Sequence, residues 1–271
     1  MEPESLRIIP PPGSDFRLSP TFNMQLVRNL DRIRFELPKA YPDGEMDEVA
    51  WFLREYPRAY RYHLACADFR LETIAQLYQE LHRELAAKIT KDVNLFEVSQ
   101  SDRRVQRIYW DFESFLTEIG ISLDLLARIA GAAYKNEMPP SFSRFCRKTA
   151  SGDAIVTLFQ AAQMRWINDL KDYRDCFMHY TPVDTMLSIC MVRRKAGWQT
   201  RCKIPGNPNE REILRFRFPW RVELLRYAFS VRRNMHKLDA STAAHIDAEY
   251  KSGNFPLRKQ GLFSVGRRER T

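Results

Sequence analysis

One short segment of this 271-residue chain combines side chains of complementary chemistry: Trp166-Ile167-Asn168-Asp169-Leu170-Lys171-Asp172-Tyr173-Arg174-Asp175-Cys176-Phe177-Met178-His179-Tyr180. Histidine titrates near neutral pH, so His179 suits the role of acid or base. Arginine stays charged and presents a planar fork of donors, so Arg174 suits two oxygens of a phosphoryl group. Asp175 directly follows the arginine, and Tyr180 directly follows the histidine. Proline at 182 disfavours helical geometry at Thr181, so the segment reads as the end of a helix.

The same Arg-x4-His spacing occurs once more, in Arg58-Ala59-Tyr60-Arg61-Tyr62-His63. Context favours the second copy. It has apolar phasing upstream, a polar residue after the arginine and a helix stop behind it. It also lies in the basic half of the chain.

That half carries most of the positive charge. The formal net charge is +9, from 43 basic and 34 acidic residues, and 32 of the basic residues are Arg. Residues 1–136 hold 18 basic and 21 acidic side chains, and residues 137–271 hold 25 and 13, so the halves carry −3 and +12. An arginine-rich basic half fits a phosphate-rich partner.

The Arg-x4-His segment resembles the Arg-x4–6-His signature of the HEPN superfamily, with Tyr173 before the arginine and Asp175 after it. The resemblance implies a helical domain and a homodimer in which two motifs form one cleft. It further implies metal-independent cleavage of RNA, with neither cofactor nor metal. Such chemistry needs a base for the 2′-OH proton, an acid for the leaving 5′-oxygen and positive charge at the phosphate, and it yields a 2′,3′-cyclic phosphate. On this reading His179 and Arg174 are catalytic, with Asp175 and Tyr180 in support. The resemblance also implies a toxin or defence role, held in check by a partner such as a nucleotidyltransferase-type antitoxin. A non-catalytic dimeric scaffold binding RNA or protein is the alternative, as is a coincidental match in a helical interaction protein.

The residues themselves leave a plainer reading open, with Arg174 on a solvated helix face, His179 capping the helix and Tyr180 packing. Five positions along a regular helix turn roughly 140° and rise about 7.5 Å, so the two side chains diverge unless the helix end bends His179 back. Farther out, Arg193, Arg194 and Lys195 at a hairpin tip and Arg215 and Arg217 beside aromatic residues are candidate RNA contacts.

The elements that must position these residues read as mainly α, an HEPN-like helical bundle with a small antiparallel β insertion at about 185–218. The proline-rich residues 1–22 form a flexible arm, residues 23–250 the helical domain, and residues 251–271 a basic flexible tail. Within the domain, Met24–Leu37 suits a short helix. Asp47–Ile89 suits a long one interrupted near Pro57, with a linker at Asn94–Asp102 after it. Arg103–Tyr134 follows, kinked or ended at Gly120 or Gly131, and then the short segment Ser141–Lys148. Asp153 is placed to cap the helix that ends near Tyr180. Thr185–Arg194 and Trp198–Ile204 read as a hairpin, and Leu214–Phe218 as a strand from its period-two alternation. Pro219 opens a last helix, Trp220 to about Tyr250.

Five dispersed cysteines, with no C-x-x-C and no nearby histidine, read as free thiols of a reducing compartment. No apolar run approaches a membrane span, and the acidic start Met-Glu-Pro-Glu-Ser has no signal-peptide core. The expectation is a cytoplasmic protein with no membrane partner.

Overall fold

A computed structural model describes residues 48–88, 95–98, 102–135, 141–148, 153–180, 188–194, 197–219 and 222–252. The expected N-terminal arm, the Met24–Leu37 helix, residues 253–271 of the tail and Lys195 lie outside the described residues, as does the side chain of Arg194.

The described chain is mainly helical with one small antiparallel sheet. Helix α1 covers Glu48–Lys88 and strand β1 covers Leu95–Val98. They are followed by α2, Arg103–Lys135, and α3, Phe142–Lys148. Helix α4, Ala154–Ala162, leads through a π-helical segment, Gln163–Ile167, into α5, Asn168–Asp175. A second π-helical segment, Cys176–Tyr180, follows α5. Strands β2, Ile189–Arg194, and β3, Gly197–Cys202, precede α6, Leu224–Lys251.

The chain divides into two compact units. The first contains Cys66–Glu118 and Trp166–Asn234 and carries the sheet. The second contains Ile119–Arg165 with the α1 residues up to Ala65 and the α6 residues from Met235.

Apolar spacing explains the long helices. On α1 the stripe Leu64, Ala67, Leu71, Ile74, Leu77, Tyr78, Leu81 and Leu85 is buried throughout, and on α2 so are Ile108, Phe112, Phe115, Leu116, Ile119, Leu123, Leu126 and Ile129. The expected interruptions are absent. Helix α1 runs unbroken through Pro57, which is itself buried, and α2 runs unbroken through Gly120 and Gly131. A glycine inside a helix costs about 1 kcal/mol, whereas each fully buried Phe or Leu contributes about 1.5–3 kcal/mol. The packing of Phe115, Leu116 and Leu123 therefore outweighs both glycines.

Other expectations fail in informative ways. The predicted linker contains β1, which pairs with β2 from Leu95↔Val192 to Val98↔Ile189. Of its four residues only Phe96 and Val98 favour strands, and its described partner is the distant hairpin, so local sequence does not reveal it. The hairpin forms as expected, from Ile189↔Cys202 to Arg194↔Gly197, and the sheet order is β1-β2-β3. The strand expected at Leu214–Phe218 is instead a 3-10 turn, Ile213–Arg215, followed by irregular chain. There, the backbone groups of Arg215 and Arg217 find their partners locally, in Gly206 and the Asn207 side chain.

The last helix starts at Leu224, not Trp220. Glu223 provides its cap, with Oε1 accepting from Leu225 N at 3.1 Å and Oε2 from Arg226 N at 2.8 Å. Asp153 does occupy the N-cap position of α4, but its side chain makes no capping hydrogen bond. Met164 is 79% exposed.

A buried polar node ties α1, the hairpin and α6 together within the first unit. Tyr78 donates its hydroxyl proton to Glu223 at 2.5 Å and accepts from the Cys202 amide at 3.1 Å. Burial pushes the Glu223 carboxyl upward, against the pull of Tyr78 and the two helix amides. The Tyr109 hydroxyl from α2 reaches the Lys203 carbonyl at 2.9 Å. These bonds hold the base of the hairpin in place.

Candidate functional site

The site is built on α5 and the π segment that prolongs it. Leu170, Tyr173, Cys176 and Phe177 are buried and form the inner face, which fixes what the outer face presents. Phe177 packs edge-on against Phe112 at 5.2 Å between ring centroids and stacks on Tyr109 at 6.2 Å. Tyr173 packs on Tyr227 at 4.3 Å and donates its hydroxyl proton to the Pro205 carbonyl at 2.6 Å. With these anchors inside, Met178 and His179 are exposed, and Arg174, Asp175 and Tyr180 are half-buried.

The two Arg-x4-His pairs are now distinguishable by backbone. Arg58 and His63 both lie within the regular α1, where five residues leave them roughly 140° apart. Arg174 ends in α5, and His179 lies in Cys176–Tyr180. A π turn closes its hydrogen bonds one residue later than an α turn, so each residue advances less around the axis. A π turn between Arg174 and His179 therefore lowers their angular separation below that of a regular helix.

Arg174 is engaged by its neighbour. Its Nε and Nη2 both donate to Asp175 Oδ1, at 3.1 and 2.9 Å. The Arg174 and Asp175 side chains remain 38% and 49% exposed, so the pair stays in contact with solvent. Exposed pairs of this kind contribute about 0.2–1 kcal/mol, little enough for a phosphate to displace the carboxylate.

Further acids surround the pair. Burial pushes Asp169 upward, partly offset by the nearby Tyr227 hydroxyl. Burial and the charge of Asp175 push Asp172 upward. Glu113, from α2, is raised by burial and lowered by the charge of His179. A carboxylate on a second helix therefore lies within electrostatic reach of the histidine.

Tyr180 and His179 rings meet edge-on at 6.0 Å, and the Arg211 guanidinium lies over the Tyr180 ring at 5.8 Å. Arg193 is exposed on β2, and Arg217 is exposed in the loop before α6. Arg215 is exposed too, and its Nε pairs with Glu212 at 3.0 Å. The sequence reading missed Arg211 and Glu113. Arg211 sits in the charge run Glu210-Arg211-Glu212, which has no periodic signal, and Glu113 is brought in only by tertiary packing.

Among the described residues, no three His, Cys, Asp or Glu side chains gather into a group able to hold a metal ion. The five cysteines are free thiols, four of them buried. No described helix is long and apolar enough to cross a membrane. Comparisons with protein-family models, curated proteins and solved structures find no match.

Proposed function

We propose that this chain is an HEPN-like, metal-independent endoribonuclease that acts in the cytoplasm as a homodimer, with Arg174 and His179 as catalytic residues. The observation that carries the reading is the π-helical turn between them. Of the two Arg-x4-His pairs, only this one runs from an α-helix into a π-helical turn, at a partly exposed helix end, and such a turn supports the pairing by lowering the angle between its members.

The chemistry follows from the residues. His179 takes the proton of the 2′-OH, and the 2′-oxygen attacks the adjacent phosphorus. Arg174 leaves Asp175 for the non-bridging oxygens and stabilises the charge that grows on them. The P–O5′ bond breaks, and the 5′-oxygen takes a proton from the second histidine that a two-fold dimer supplies. The products are a 2′,3′-cyclic phosphate and a 5′-hydroxyl. Asp175 holds Arg174 in place before substrate arrives, and Tyr180 flanks the histidine. Regulation by an inhibitory partner of the antitoxin type, and a toxin or defence role, belong to the same proposal.

The engagement of Arg174 by Asp175 favours a second reading, a non-catalytic dimeric scaffold for RNA or protein. End-group analysis separates the two. RNA incubated with the protein in EDTA yields 2′,3′-cyclic phosphate ends under the nuclease reading. Intact RNA, bound or unbound, contradicts it.

A further inference from the structure

The loop between β3 and α6 carries a second feature beside the proposed site. Its neck is closed by the Gly206 amide, which donates to the Arg217 carbonyl at 2.7 Å. Asn207 reinforces the closure from both ends of its amide. Its Nδ2 donates to the Arg215 carbonyl at 3.1 Å, and its Oδ1 accepts from the Arg217 amide at 2.8 Å. Inside the loop, Glu210 N donates to the Asn207 carbonyl at 3.0 Å and Arg215 N to the Glu212 carbonyl at 2.9 Å. The neck has no room for a side chain at 206, because a Cβ there would meet Pro219 Cγ at 2.6 Å and Cδ at 2.8 Å. These bonds pre-organise the loop, which lowers the ordering entropy that binding through it costs.

Two contacts fasten this loop to the site. The Tyr173 hydroxyl, one residue before Arg174, donates to the Pro205 carbonyl at 2.6 Å. Arg211 lies over Tyr180, the residue after His179. The loop then presents Arg211, Arg215 and Arg217 to solvent, with Leu214 at its tip 96% exposed. Arg215 is taken up by Glu212, and Arg217 lies near Glu210, whose carboxyl it helps to lower.

We propose that residues 206–217 form a rigid arm that holds single-stranded RNA beside Arg174 and His179. Arg211, braced on Tyr180, and Arg217 take backbone phosphates, and the bare Leu214 side chain meets a base face. The proposal rests on the nuclease reading for the role of the arm, but RNA binding is measured without cleavage. Exposed arginine charge suits the phosphates of a nucleic-acid strand, and the exposed Leu214 beside it offers an apolar surface to a base face. A protein partner is the competing occupant.

The test uses the full chain and a fluorescein-labelled single-stranded RNA of about ten nucleotides, within the usual site size for such surfaces. Binding is followed by anisotropy across a salt series for wild type, for Arg211→Ala with Arg217→Ala, and for Arg211→Lys with Arg217→Lys. Each phosphate contact on a single strand contributes about 0.7 to the slope of log affinity against log salt. The alanine pair is expected to lower that slope by about 1.4 and to weaken binding about tenfold, while the lysine pair keeps the slope. Wild-type slope and affinity in the alanine pair overturn the proposal and leave the loop to a protein partner. Failure of the wild type to bind RNA overturns it too. RNA that is bound through the arm but never cut sinks the nuclease reading alone.

Discussion

The guanidinium of Arg174 closes on the carboxylate of the next residue, Asp175, through two bonds to a single oxygen. The pair is half exposed, so it holds the arginine in position without locking it. Asp175→Ala removes both the competing acceptor and one negative charge. The expected result is RNA affinity raised by up to about fivefold, the equivalent of the about 1 kcal/mol limit for an exposed pair. Anisotropy on labelled RNA measures it. A loss of affinity would show that Asp175 is an essential brace for Arg174.

The buried node around Tyr78 predicts a stability effect. Tyr78→Phe removes the proton donated to Glu223 and the acceptor of the Cys202 amide, both in buried surroundings. Leaving such groups short of a partner costs about 1–3 kcal/mol. Urea unfolding of the two proteins gives the difference directly. A change near zero would mean that water replaces the hydroxyl.

The second unit has a pH-sensitive element of its own. Tyr60 donates its hydroxyl proton to the buried Asp239 at 2.9 Å. Burial, against the pull of that bond, raises the Asp239 carboxyl from an ordinary 3.8 to about 7. The folded state holds a proton that the unfolded chain has released, so stability falls as pH rises from about 4 and levels off above about 7. Asp239→Asn removes this slope. Melting temperatures of both proteins from pH 4 to 8 should diverge, with the variant gaining steadily; parallel curves would place Asp239 in contact with water.

Gly206→Ala tests the loop neck. The added Cβ meets Pro219 at 2.6 Å, so neck or proline must move. Overpacking of this sort costs about 1–3 kcal/mol. The expected signature is faster hydrogen exchange at the Arg217 amide, whose acceptor is Asn207, with the helices unaffected. Unchanged exchange there would mean that the loop tolerates the methyl group.

The helices were legible because their signal is local and repeated. The α1 and α2 stripes appear in the sequence with the same residues that the core buries. The hairpin was legible from its Lys195-Ala196-Gly197 turn and flanking β-formers. Strand β1 was not, because the partner it has among the described residues is nearly a hundred residues away in sequence. Leu214–Phe218 misled for the opposite reason. Its alternation is real, yet the Asn207 side chain takes the backbone groups that a strand would offer to a neighbour. Glu223 was missed as a cap because Pro219 offered a nearer helix start. At the site, spacing singled out Arg174 and His179 but gave no hint of the π turn, since hydrogen bonds to the fifth residue have no distinct composition. Nor did it point to Glu113 or Arg211, which only packing brings to His179 and Tyr180.

Under the nuclease reading, Arg174 and His179 together cut RNA without metal. Single-turnover cleavage of a labelled RNA in EDTA tests it most directly, with wild type, Arg174→Ala and His179→Ala compared at equal, verified folding. The expected result is cleavage by the wild type and a loss of at least about a hundredfold in each variant, the usual scale for removing an acid–base group or a transition-state donor. Wild-type rates in either variant, or no cleavage by the wild type, would contradict it.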